Sequence, residues 1–100
     1  MLIANVGAIA RLLRKNRDVG NWMDSWIAVT AAAQWASIQD VRRDYPTADG
    51  VSMTDGSVVT VFNVKGRLYR LLTKIDYSLQ SVWIIEILTH ADYNKNKWKA

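Results

Sequence analysis

The sequence predicts an α+β domain, with N-terminal helices packed on one face of a twisted antiparallel sheet of three to four strands. Three observations carry that reading. Apolar residues recur at helical spacing through the first part of the chain. From Val58 onward, short runs of β-branched and aromatic residues alternate with turn residues. Helices come first and strands after, the segregated order of α+β folds. The chain has 100 residues, half of them hydrophobic, with no repeat and no linker, so residues 1–100 form a single domain.

Met1 to Asn5 reads as a short first strand. Ala8, Ile9, Leu12 and Leu13 then mark an amphipathic helix, with Arg11, Arg14 and Lys15 on its other side. Asp18 is placed to cap a second helix running to about Trp35. Its buried stripe is Trp22, Trp26, Val29, Thr30 and Ala33, and the alanines around it permit close approach of a neighbour. Ser37-Ile38-Gln39-Asp40 resembles a capping box with Asp in place of Glu, opening a third helix that ends near Tyr45, before Pro46.

Thr47 to Ser57 is loop-like, with Asp49-Gly50 and Asp55-Gly56 as turn signals and a brief edge strand at Val51 to Met53. Val58 to Leu72 is the centre of the chain, two strands folded back at Lys65-Gly66. With Lys65 and Gly66 as the two loop residues, Asn63 lies opposite Leu68 and Val61 opposite Arg70. Alternation puts Val58, Thr60, Phe62, Val64, Tyr69, Leu71 and Thr73 on one face. Val59, Val61, Asn63, Leu68, Arg70, Leu72 and Lys74 fall on the other. The final strand, Val82 to Thr89, is apolar in both phases, as expected of a strand covered on both sides. A lysine-rich tail, Asn94 to Ala100, follows.

Composition excludes several classes of function. The chain has no cysteine, so disulfide frameworks, thiolate zinc sites and thiol nucleophiles are out, and a cytoplasmic protein fits. A single histidine excludes a histidine metal cluster. No stretch approaches the ~20 apolar residues of a membrane span, and the apolar opening lacks the basic start of a signal peptide. Neither a phosphate-cradling glycine loop nor a serine nucleophile elbow occurs. The formal net charge of +4 favours polyanionic partners, nucleic acid above all.

What remains is a constellation: Asn63, Lys65, Arg70, Lys74, His90, Tyr93 and Lys95. Pairing of the last strand with Leu68 to Ile75 brings His90 and Tyr93 to the end that holds the Lys65 turn. RNA cleavage without a metal needs a group to take the ribose 2′-hydroxyl proton and another to protonate the leaving oxygen. It also needs fixed cations against the phosphate. Histidine titrates near neutral pH, arginine grips phosphate with two parallel N–H groups, and tyrosine stacks on bases or donates a hydrogen bond. Each has a duller reading. Lys65 is a solvated loop tip, Arg70 and Lys74 pair with Glu86 or Asp76, and His90 is a structural hydrogen-bonder.

The segments V-F-N-V-K-G-R-L-Y-R-L-L, Val61 to Leu72, and T-H-A-D-Y-N-K, Thr89 to Lys95, resemble the HigB toxins of bacterial toxin–antitoxin pairs. The likeness extends upstream through the tryptophan- and alanine-rich helices. It implies a RelE-like fold and an mRNA interferase, an endoribonuclease cutting messages on the translating ribosome and thereby inhibiting translation. It implies a HigA-like helix-turn-helix antitoxin as partner and no cofactor. By the same resemblance Arg70, His90, Tyr93 and Lys65 are the catalytic candidates. Asn63, Arg67, Lys74 and Lys95 are the RNA-binding ones. The chain departs from the family pattern at Ile85, where an arginine is common, and at Arg67, often Asn. A non-catalytic RNA- or ribosome-binding domain of the same fold, or a subunit that only holds an acidic antitoxin segment, are the competing expectations.

Overall fold

The computed structural model describes residues 1–5 and 7–99; Val6, and Ala100 at the end of the expected lysine-rich tail, lie outside them. Among the described residues the order is β1 (Leu2–Ile3), α1 (Gly7–Lys15), α2 (Gly20–Ala32), α3 (Ile38–Asp44), β2 (Asp49–Ser52), β3 (Val58–Val64), β4 (Tyr69–Asp76), β5 (Ser81–Thr89) and α4 (His90–Asn94), with 3₁₀ turns at Arg17–Val19 and Lys97–Lys99. The strands form one sheet in the order β1-β5-β4-β3-β2. The fold is α+β and RelE-like, but the sheet has five strands rather than three to four. It is also mixed, because β1 runs parallel to β5 through Leu2–Ser81 and Ile3–Val82. No helix among the described residues is long and apolar enough to cross a membrane.

Helices cover one sheet face, and the core lies between the two layers. Phe62 is its centre: Trp26 meets it edge-on at 5.6 Å, Tyr45 edge-on at 5.3 Å and Trp35 lies over it at 6.4 Å. Val64, Leu71, Val82, Ile84 and Ile87 complete the sheet side, with Leu12, Val19, Met23 and Val41 from the helical layer. Such aromatic pairs add to area burial because edge and face carry opposite partial charge.

Several local expectations are corrected. The second helix ends at Ala32 and is capped at Val19 without a side-chain bond. Asp18 instead accepts from the Tyr69 hydroxyl at 2.9 Å and faces Lys65 Nζ at 3.7 Å. The buried stripe of that helix keeps Trp26 and Thr30 as expected and adds Met23; Trp22 and Ala33 pack partly buried on the core, whereas Val29 is exposed. The N-terminal ammonium donates to the Ala33 carbonyl at 2.6 Å, placing a cation at the helix's negative end. Ser37 makes no side-chain cap, and Asp40 accepts from the N–H of Ala36, one residue before the cap, at 2.8 Å, so the box does not form.

The central hairpin is slipped by two residues. Asn63 faces Arg70 and Val64 faces Tyr69, so the loop is Lys65 to Leu68 and not the two residues expected. Lys65 and Gly66 do take positive φ, 50° and 69°. The wider loop is held because the Leu68 carbonyl accepts from the His90 N–H at 3.0 Å. A slip of two leaves every side chain on its expected face, since the strand period is two. The last strand is not covered on both sides: Trp83 is 51% exposed on the face away from the helices.

Candidate functional site on the open sheet face

The face away from the helices carries a smaller apolar cluster, Val59, Val61 and Leu72, with Ile85, Leu88, Tyr93 and Trp98 packed on it. Arg70 stands at one end of this floor, opposite Leu88 of β5. Just beyond it β5 turns into α4, capped by Thr89, whose hydroxyl accepts from the Asp92 N–H at 3.2 Å. This short helix sends His90, Tyr93 and Asn94 back toward the arginine.

Arg70 is buried, at 8% exposure, yet makes no ion pair with any carboxylate among the described residues. Its Nη1 donates to the carbonyls of Arg67 (2.9 Å) and Tyr69 (3.2 Å). Its Nη2 lies 3.3 Å from His90 Nδ1, and the guanidinium carbon sits 5.3 Å from the Tyr93 ring centre. The Nε–H finds no partner among the described residues but is not sealed; the buried, unpartnered side-chain atoms among those residues are Trp26 Nε1 and Thr30 Oγ1. A cation so held is aimed by the protein without being neutralised by it. It can offer N–H groups to an anion at the surface.

Arginine cannot accept a hydrogen bond, so His90 Nδ1 is the acceptor in that contact and the neutral ring carries its proton on Nε2. The Nε2–H then donates to Asn94, 3.1 Å away, with the amide turned so that its oxygen faces the ring. His90 is exposed, so an incoming group can reach its ring. Tyr93 is half-buried. Burial pushes its phenol above the ordinary tyrosine value, nearby Asp49 adds to this, and Arg70 works against it. The phenol therefore stays protonated at neutral pH and can donate. Trp98 stacks on the same ring at 5.0 Å, its indole N–H bonded to the Tyr93 carbonyl at 2.9 Å.

Of the residues proposed from sequence, the structure gathers Arg70, His90 and Tyr93, with Asn63 paired across the strands beside Arg70. Lys65 is drawn to Asp18. Lys95 lies 3.4 Å from Asp92 in an exposed i,i+3 pair, Arg67 is exposed in the loop, and Lys74 is exposed farther along β4. Neither suggested carboxylate takes Arg70: Glu86 faces Arg11 at 4.0 Å, and Asp76 accepts from Ser78 and Leu79. Asn94 and Trp98 are additions. Asn94 was detectable, because it stands four residues after His90 at the start of a helix. No cluster of three or more metal-ligating side chains occurs among the described residues.

The helices leave one sheet face open, and on it stand a histidine and an arginine that has no carboxylate partner among the described residues. The HigB toxin family model, described as the RelE-like toxic component of a toxin–antitoxin system, matches residues 20–96. The chain belongs to this family, and is thus a toxin for which the family implies an antitoxin partner. No curated protein matches the sequence.

Proposed function

We propose that this toxin is an mRNA endoribonuclease that cuts messages on the translating ribosome, neutralised by a HigA-like helix-turn-helix antitoxin. The observation that carries the reading is Arg70, free of any carboxylate partner among the described residues and within 3.3 Å of the single histidine. In the reaction the ribose 2′-oxygen displaces the 5′-oxygen from phosphorus, leaving a 2′,3′-cyclic phosphate and a 5′-hydroxyl. His90 exchanges the protons, Arg70 offsets the charge that builds on the phosphoryl oxygens, and the Tyr93 phenol donates a hydrogen bond. Asn63, Arg67, Lys74 and Lys95 hold the flanking backbone. Lys65 contributes by releasing Asp18 to face the phosphate. The test is induced expression with mapping of transcript ends. The wild type is expected to arrest growth and leave new 5′-hydroxyl ends, and Arg70→Ala and His90→Ala to do neither. Intact transcripts in arrested wild-type cells would reject the reading.

One observation favours a second reading, a non-catalytic RNA- or ribosome-binding domain. Both ring nitrogens of His90 already meet protein groups, as in a purely structural histidine. In that case wild type and His90→Ala bind ribosomes alike and neither cuts.

A further inference from the structure

Next to Arg70 the open face hollows into a groove of about 410 Å³, within the range of small-ligand sites. Its floor is Leu72, Ile85 and Leu88, its walls are Trp83 and Trp98, and Lys74 stands on its rim. We infer that this groove is a subsite for one nucleobase of a single-stranded RNA, the base next to the phosphate held at Arg70. The inference rests on the ribonuclease reading of the same face and adds where the neighbouring base goes.

The occupant follows from what surrounds the groove. Leu72 is two residues along β4 from Arg70 on the same face, about 7 Å at strand rise, roughly one nucleotide step. The Tyr93 ring already has Trp98 stacked on it and Arg70 above it, so an incoming base has little of that ring to use. The aromatic surface left open is Trp83, 51% exposed, with Trp98 across the groove. The open Trp83 indole accepts any base through its π-face; Trp98, already stacked on Tyr93 with Lys99 over its ring, lines the groove without a free face. The charge around them suits a polyanion: Lys74 on the rim, Lys99 with Nζ 5.7 Å from the Trp98 ring, and Arg70 at the near end. The acid that reaches the groove, Glu86, is answered by Arg11 at 4.0 Å.

The test is binding of a fluorescein-labelled single-stranded RNA hexamer with a 2′-deoxy sugar at each position in turn to block cleavage. Abasic sugars are then scanned along it. Wild-type protein is expected to lose about tenfold in affinity when one particular base is missing. Trp83→Ala is expected to lose the same tenfold on the intact hexamer and nothing further on that abasic one. Trp83→Phe keeps most of the affinity. Melting curves of Trp83→Ala guard against misfolding, since that side chain is half exposed. A flat abasic scan, no binding of any hexamer by the wild type, or equal weakening on intact and abasic RNA would overturn the inference. So would unchanged RNA binding in Trp83→Ala with weakened binding of a protein partner. Transcript mapping separates the two claims. Cuts with a flat scan keep the nuclease and remove the groove; a position-specific scan without cuts does the reverse.

Discussion

The two faces of the sheet are built from alternate residues of the same strands and have opposite character. The helix-covered face holds Phe62, Val64, Leu71, Ile84 and Ile87, all at 1% exposure or less, sealed by Trp26 and Trp35. The open face holds a shorter apolar floor and then Arg70, His90 and Tyr93. The packed core lies on the first face and the candidate site on the second. The difference teaches how a chain of this size keeps a charged site. The cost of burying Arg70 is met locally by the Arg67 and Tyr69 carbonyls and by His90, so the core need not contain any charge.

Trp26→Ala should have the largest effect, about 3–5 kcal/mol for loss of a fully buried aromatic. Against the 5–15 kcal/mol typical of whole domains, that should leave it largely unfolded in a thermal melt. A near-native cooperative transition would mean that the helical face is not where stability resides.

Arg70→Ala should divide the two faces most sharply. Transcript cleavage should fall by about 10²–10³-fold, the scale for losing one charge-stabilising donor at a reacting oxygen. Folding should lose only about 1–3 kcal/mol from its hydrogen bonds. A collapse of the melting temperature as large as that of Trp26→Ala would make Arg70 a structural ion.

Thr30→Val should act in the other direction. Its hydroxyl is sealed on the helical side without a partner, and valine has the same shape. A gain of about 1 kcal/mol is expected, seen as a rise of about 4–8 °C in Tm. An unchanged or lower Tm would show that the hydroxyl is satisfied.

The gentlest probe is alkaline titration. All four tyrosines are pushed above their ordinary value: Tyr45, Tyr77 and Tyr93 chiefly by burial, Tyr69 chiefly by its bond to Asp18. For an acid whose folded pKa is raised, stabilisation is whole below the unfolded value, about 10, and is lost as pH rises through the folded values. Phenolate absorbance should rise at higher pH than for free tyrosine, and melting should stay level until about pH 10 and weaken above it. Tyr93→Phe should remove a step that lies above the free-tyrosine value; if the step it removes lies at the ordinary value, Tyr93 is not held as described.

Legibility in the sequence divides along the same line. The face assignments of β3 and β4 were readable before any coordinates, and so was the meeting of Arg70 with His90 and Tyr93. The hairpin register was not: positive φ at Lys65 and Gly66 is common to short and long loops. What widened the loop was the Leu68 carbonyl bonding to His90, twenty-two residues on. In the second helix Trp26 and Thr30 of the expected stripe are buried, but Met23 is buried where Val29 was expected, because the core selects the side chains that reach it and not hydrophobicity alone.

By itself, then, the sequence determined the class of fold and which strand residues share a side, because alternation along a strand is local and survives an even slip in pairing. Only the tertiary structure decided that Asp18 would bind Tyr69 and Lys65 instead of capping a helix. It alone folded the tail so that Trp98 lies on Tyr93, and left Arg70 without a carboxylate among the described residues. Those outcomes depend on which distant groups arrive at the same point, and no spacing along the chain records that.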